Sequence, residues 1–243
     1  MRKGELTDIG KRRSHNEDSF YSYANNKYYY AMVADGMGGH FAGEIASNMA
    51  IYEIKKYFAN HFKDDMDCFQ VGEVVKQAFI KANTAVYEYA KQNLNVMGMG
   101  TTVTFAMVYG DKIISANVGD SRTYIINDRE IKQITRDHSY VAELVARGQI
   151  TPQQAKNHPK RSYITRAVGT EETVDVDINY VSYDNETVLL CSDGLSNLVE
   201  DKEIQNIVGN KKNLGRCAKK LVALANHRGG TDNITVVLYR KDR

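Results

Sequence analysis

The sequence predicts an α+β fold built on antiparallel sheets, and three observations carry that prediction. Short apolar runs follow one another at hairpin and meander spacing, separated by Asn-Asn, Gly-Asp or Asn-Asp turns. Two long amphipathic helical patterns come back to back with no strand between them. Nowhere do strands and helices alternate singly, as a doubly wound parallel sheet would require. The chain has 243 residues, 42% of them hydrophobic, and no Pro/Gly/Ser linker interrupts it. That length and apolar content fit one large core, so a single domain over residues 1–243 is expected.

Taken in order, Phe20–Ala24 and Tyr28–Ala34 read as strands joined at Asn25-Asn26. Gly43–Phe62 reads as a helix, with Ile45, Met49 and Tyr52 at helical spacing, and Val71–Asn93 repeats the pattern through Val71, Val75, Ala78, Ala82 and Val86. The middle is a meander: Thr101–Tyr109, Lys112–Val118, Arg122–Ile126 and Glu130–Ile134. Residues 137–168 hold both prolines, Pro152 and Pro159, with mixed polarity, and read as a flap-like surface excursion. Strands then return before and after a final helical pair.

An aspartate-glycine step closes an apolar run twice, at Tyr28–Gly36 and Thr187–Gly194, and Asp232 opens a third run, TDNITVVLY. Asp-Gly alone is a common hairpin turn. Here, three carboxylates delivered from three distant segments suggest a metal site. The surroundings of Asp35 strengthen the point. In Ala34-Asp35-Gly36-Met37-Gly38-Gly39-His40, three glycines follow one carboxylate within four residues, which suits a ligand approaching the backbone closely.

Two more segments complete the pattern: Arg13-Ser14-His15-Asn16-Glu17-Asp18 upstream, and Ala116-Asn117-Val118-Gly119-Asp120-Ser121-Arg122 in the middle. In this order and spacing the chain resembles the protein phosphatase 2C family of metal-dependent serine/threonine phosphatases. The resemblance runs from Thr7-Asp8-Ile9-Gly10 to Thr231-Asp232-Asn233. The DGMGGH form and Arg161-Ser162 look most like the bacterial branch.

The resemblance implies a four-layer α-β-β-α sandwich, two central antiparallel sheets flanked by pairs of antiparallel helices. It implies two Mn²⁺ or Mg²⁺ ions, with Asp35 bridging them, the Gly36 carbonyl on one, and Asp193 and Asp232 on the other. An oxygen-only donor set suits such hard cations and disfavours a closed zinc site. A water shared by two ions about 3.5–4 Å apart would attack phosphorus directly. Glu17 and Asp18 would hydrogen-bond waters on the metals. Arg13 would bind the phosphoryl group, since its planar fork matches two phosphate oxygens; Arg12 is its neighbour, and the spacing to Glu17-Asp18 favours Arg13. Bacterial members imply a third metal at Asp120, Asp193 and Ser162.

One position departs from the family. Many eukaryotic members carry a histidine directly after Asp-Gly as general acid, and this chain has Met37. His40, three residues on, and a metal-bound water are the remaining candidates for the proton donor. The expected substrates are phosphoserine and phosphothreonine proteins, supplied by a bacterial eukaryote-like Ser/Thr kinase. The alternative is an inactive phosphatase-fold binding module, disfavoured because Arg13, Asp35, Gly36, Asp193 and Asp232 are all present.

Composition removes other classes. A net charge of +2 offers no strongly basic face for nucleic acid. Met1-Arg2-Lys3 is followed by no apolar stretch, and no later run approaches the roughly 18 residues of a membrane helix. A cytoplasmic protein that meets neither membrane nor nucleic acid is expected. Cys68, Cys191 and Cys217 show no CxxC spacing, and none is followed by arginine six positions on, as a cysteine-phosphatase loop would need.

Overall fold

The computed structural model describes residues 1–39, 41–209 and 211–242. Its strands form two antiparallel sheets. One is ordered β1-β11-β10-β7-β8, from β1 (Arg2–Asp8), β7 (Arg122–Ile126), β8 (Ile131–Gln133), β10 (Thr187–Cys191) and β11 (Ile234–Arg240). The other is ordered β2-β3-β5-β6-β9, from β2 (Asp18–Ala24), β3 (Tyr28–Met37), β5 (Val103–Tyr109), β6 (Lys112–Val118) and β9 (Asp177–Ser182), with β4 (Gly100–Thr101) pairing the end of β3.

Strand periodicity explains the layering. Along β3, Tyr30, Met32 and Ala34 face helices α1 (Ala42–His61) and α2 (Cys68–Gln92), while Tyr29, Ala31 and Val33 face the second sheet. On that second sheet Val188, Leu190, Val237 and Tyr239 meet them. Leu189, Cys191, Val236 and Leu238 turn the other way, onto α5 (Asp193–Ser196), α6 (Asp201–Val208) and α7 (Leu214–His227). Three apolar layers therefore separate four structural layers, the predicted sandwich. Strands buried on both faces read as continuous apolar runs, which is why β3, β5 and β10 were visible in the sequence.

Several elements differ from the sequence reading. β1 was not foreseen, because Arg2–Asp8 is a polar edge strand whose only apolar side chain is Leu6; pairing with β11 along its whole length makes it a strand. Helix α2 starts three residues early, where Asp67 accepts from the amides of Phe69 and Gln70 and Gln70 returns the contact in a capping box. The final helical pair is three helices, since Asp193 opens a single turn of its own, too short to show periodicity. The 137–168 excursion contains α3 (Tyr140–Ala146) and α4 (Pro152–Lys156), capped by Ser139 and Thr151.

The two Asp-Gly steps are not turns. Asp35 and Gly36 lie inside β3, and Asp193-Gly194 begins α5. Both glycines are there for close approach: a Cβ on Gly36 would lie 2.0 Å from the Gly43 carbonyl oxygen, and one on Gly194 would lie 2.0 Å from that of Asn233. Among the described residues no helix is long and apolar enough to cross a membrane.

Candidate metal and phosphate site

A cavity of about 530 Å³ opens at one end of the sandwich. Its walls include Arg13, Glu17, Asp35, Gly36, Asp120, Ser162, Asp193 and Asp232. These predicted residues therefore converge from both sheets, the N-terminal loop and the excursion, while Asp18 is not part of the lining. Arg13 lines the cavity, whereas Arg12, the neighbouring arginine, is not part of the lining. Met37, Gly38, Gly39 and His15 also line it. His40 lies outside the described residues.

Register brings the acids together. Asp18 pairs directly opposite Asp35 across β2 and β3, an arrangement that is unfavourable for like charges. Asp18 is buried, and its Oδ2 accepts from Ser192 Oγ at 2.7 Å and Thr235 Oγ1 at 2.6 Å. Its Oδ1 has no partner, and neither has the buried Oδ1 of Asp193. Asp193 Oδ2 accepts from Asn197 Nδ2 at 2.9 Å. Arg13 Nη2 donates to Asp232 Oδ2 at 2.8 Å, so the predicted phosphate ligand lies against a predicted metal ligand.

These surroundings raise the carboxyls. Burial, then the charges of Asp18 and Asp193, hold Asp35 well above the usual range. Burial pushes Asp18 up to about 7 against the hydroxyl bonds from Thr235 and Ser192. Burial, then Asp193 and Asp137, push Asp120 up to about 8, with Arg122 opposing. Asp193 is raised by burial and by Asp232, and Glu17 by burial. The cluster holds more negative charge than nearby cations neutralise.

Two unpartnered buried carboxylate oxygens within such a cluster fit hard cations. Among the described residues no three His, Cys, Asp or Glu side chains form a ready cage around one point. The donors are spread around the cavity instead, as suits ions that keep much of their water.

The sequence reading missed the residues that build the frame. Asn233 Oδ1 accepts from the Glu17 amide at 2.8 Å, and its Nδ2 donates to the carbonyls of Ile9 and His15, which fixes the N-terminal loop beside Asp232. Thr102 Oγ1 accepts from the Asp35 amide at 3.1 Å and meets Ser121 Oγ at 2.7 Å, linking Asp35 to the Asp120 turn. Ser192 and Thr235 look like ordinary strand-flanking residues in sequence; their partner Asp18 is 174 and 217 positions away. Asn233 and Ser121, each beside an acid within a quoted motif, were the two that offered a signal.

The protein phosphatase 2C family model matches residues 10–227. The chain belongs to the protein phosphatase 2C family. Among its relatives, the serine/threonine phosphatase stp of Listeria monocytogenes is 37% identical over 97% of this chain and 94% of its own length. The solved structure of the serine/threonine phosphatase Stp1 from Staphylococcus aureus superposes with a TM-score of 0.92 at 36% identity, over 99% of this chain and 95% of that one. The catalytic domain of the serine/threonine phosphatase PstP, solved in complex with two manganese ions, gives a TM-score of 0.82 at 34% identity, over 98% and 96% of the two chains. This family member is a protein serine/threonine phosphatase with the family's α+β fold.

Proposed function

We propose that this phosphatase removes phosphate from serine and threonine of cytoplasmic proteins modified by a bacterial Ser/Thr kinase, using two Mn²⁺ or Mg²⁺ ions. Residues 1–243 act as one catalytic domain with 137–168 as its flap. The observation that carries the metal reading is the buried, unpartnered Asp193 Oδ1, in a cavity where burial also holds Asp35 and Asp120 above the usual carboxyl range. Asp35, the Gly36 carbonyl, Asp193 and Asp232 would hold the two ions, and Asp120 with Ser162 a third. When bound, the ions supply an acidified water and neutralise charge on the phosphoryl group.

The protein's own residues do the rest. Asp18 is fixed by Ser192 and Thr235, so its free Oδ1 can accept from a water above Asp35. Glu17, held through its amide by Asn233, lines the same space. Arg13 rests on Asp232 and lines the cavity, where its guanidinium would take two phosphate oxygens. The phosphoryl group is thereby oriented opposite the attacking water.

Turnover of a phosphothreonine peptide tests the reading. Chelator should abolish it, Mn²⁺ should restore it, and thiol alkylation should leave it unchanged. Asp193→Asn and Asp232→Asn should each lower kcat by several orders of magnitude. Activity surviving exhaustive chelation, or near-normal rates in both variants, removes these residues from the chemistry.

A further inference from the structure

Gly119 lies in the turn between β6 and β7, immediately before Asp120, and His138 grips it through both of its peptide groups. The Gly119 amide donates to His138 Nδ1 at 3.1 Å, and the His138 amide donates to the Gly119 carbonyl at 2.9 Å. Asn117 Nδ2 donates to the same carbonyl at 3.0 Å. The turn has no slack: Gly119 has φ +102°, and a Cβ there would lie 2.5 Å from Thr102 Cβ.

The far side of the ring is anchored too. Nε2 lies 3.1 Å from Asp177 Oδ2, and Asp177 Oδ1 accepts from Arg166 Nη1 at 2.8 Å. Because Nδ1 accepts, the ring proton sits on Nε2 and is donated to Asp177. Arg166 Nη1, 3.2 Å from Nε2, is a donor as well and is satisfied by Asp177 and the Asp175 carbonyl. The residue is 3% exposed, and burial lowers its pKa, which keeps the imidazole neutral.

The same residue is the root of the excursion. Its carbonyl accepts from the Thr165 amide at 2.8 Å, and the next residue, Ser139, bridges to Ile164. One residue thus ties the Asp120 turn, through its side chain and its amide, to the segment that carries Ser162 into the cavity, through its carbonyl.

We propose that His138 is a positioning residue for Asp120, setting the direction of its carboxylate through the Gly119 peptide and holding it in register with Ser162. The inference rests on the reading of Asp120 as a ligand of a third ion. His138 does not line the cavity, so its effect must pass through the turn.

Two substitutions separate its contacts. His138→Asn keeps an acceptor near the place of Nδ1 and gives up Asp177. His138→Gln reaches towards Asp177 and leaves the Gly119 amide unpaired. With folding checked by Tm, kcat, KM and the Mn²⁺ concentration for half-maximal rate are measured on a phosphothreonine peptide. Para-nitrophenyl phosphate keeps Asp120→Ala measurable, since its leaving group scarcely needs a proton. His138→Gln should lower kcat about tenfold, the effect of one buried hydrogen bond, with KM unchanged and the Mn²⁺ requirement raised. His138→Asn should stay within about threefold of wild type on the same reasoning. In an Asp120→Ala background neither should lower kcat further.

Equal losses in both variants, or losses that multiply with that of Asp120→Ala, make His138 merely structural and overturn the inference while the third-ion reading stands. If Asp120→Ala alone leaves kcat and the Mn²⁺ requirement unchanged, the third-ion reading itself fails, and the inference with it. Should His138→Gln not fold, Asp177→Ala, which loosens the ring from outside, should lower kcat a few-fold alone and not at all beside Asp120→Ala; a multiplying loss there overturns the inference equally.

Discussion

Asp18→Asn should stabilise the metal-free protein at pH 8 while impairing the enzyme. The wild-type carboxyl moves from 3.8 in the unfolded chain to about 7 in the fold, which at about 1.4 kcal/mol per pH unit is ~4 kcal/mol against the ionised form. Asparagine removes that charge. Its Oδ1 can take over the bonds from Ser192 and Thr235, but its amide then occupies the place of the unpartnered Oδ1, which costs about 1–3 kcal/mol. The net gain is ~1–3 kcal/mol, and at about 2–4 °C per kcal/mol for a chain of this size Tm should rise by roughly 2–12 °C.

The sign with pH follows from the same shift. Between pH 3.8 and about 7 the folded state binds more protons than the unfolded chain, so wild-type stability falls as pH rises across that window and stays reduced above it. The advantage of Asp18→Asn should therefore be full at pH 8 and smaller at pH 5. Saturating Mn²⁺, which favours the ionised cluster, should shrink or reverse it. Thermal melts in chelator at both pH values, and with Mn²⁺ at pH 8, give the comparison. A lower Tm than wild type in chelator at pH 8, or an advantage undiminished at pH 5, refutes the reasoning.

Arg13→Lys keeps the charge but loses the planar fork, so it should reduce kcat/KM, and Arg13→Ala should reduce it more, by roughly thirty- to two-hundred-fold for the ~2–3 kcal/mol of a charge-assisted bidentate contact. A neutral Arg13→Ala beside a severe Arg12→Ala in steady-state kinetics would shift the role by one residue. Gly36→Ala places a methyl 2.0 Å from the Gly43 carbonyl oxygen and 2.8 Å from that of Glu17, so α1 must move away from β3. A lower urea midpoint, equivalent to ~1–3 kcal/mol or more, is expected, and an unchanged midpoint would contradict the packing role.

The sandwich was legible where both faces of a strand are buried. Residues 28–34 and 188–191 are unbroken apolar runs because one face meets helices and the other meets a sheet. β1 was illegible because a polar edge strand becomes a strand only through its partner. The sequence could not say whether the Asp-Gly glycines serve a bend or close packing, because the two look alike; only Gly43 and Asn233, pressed against those two backbones, distinguish them.

What the sequence by itself offered is the chemical inventory: the acids and the arginine proposed for the site, their order along the chain, and the apolar runs they adjoin. Those are local properties, written in residue type and periodicity. Tertiary structure decided the rest: that Asp18 stands opposite Asp35, that Arg13 rests on Asp232 rather than in open solvent, and that His138 holds the turn before Asp120. The acids and Arg13 meet across as many as 219 positions of chain. Their protonation and geometry come from burial and from neighbours that only folding brings together, because charge–charge repulsion and desolvation depend on distance in space.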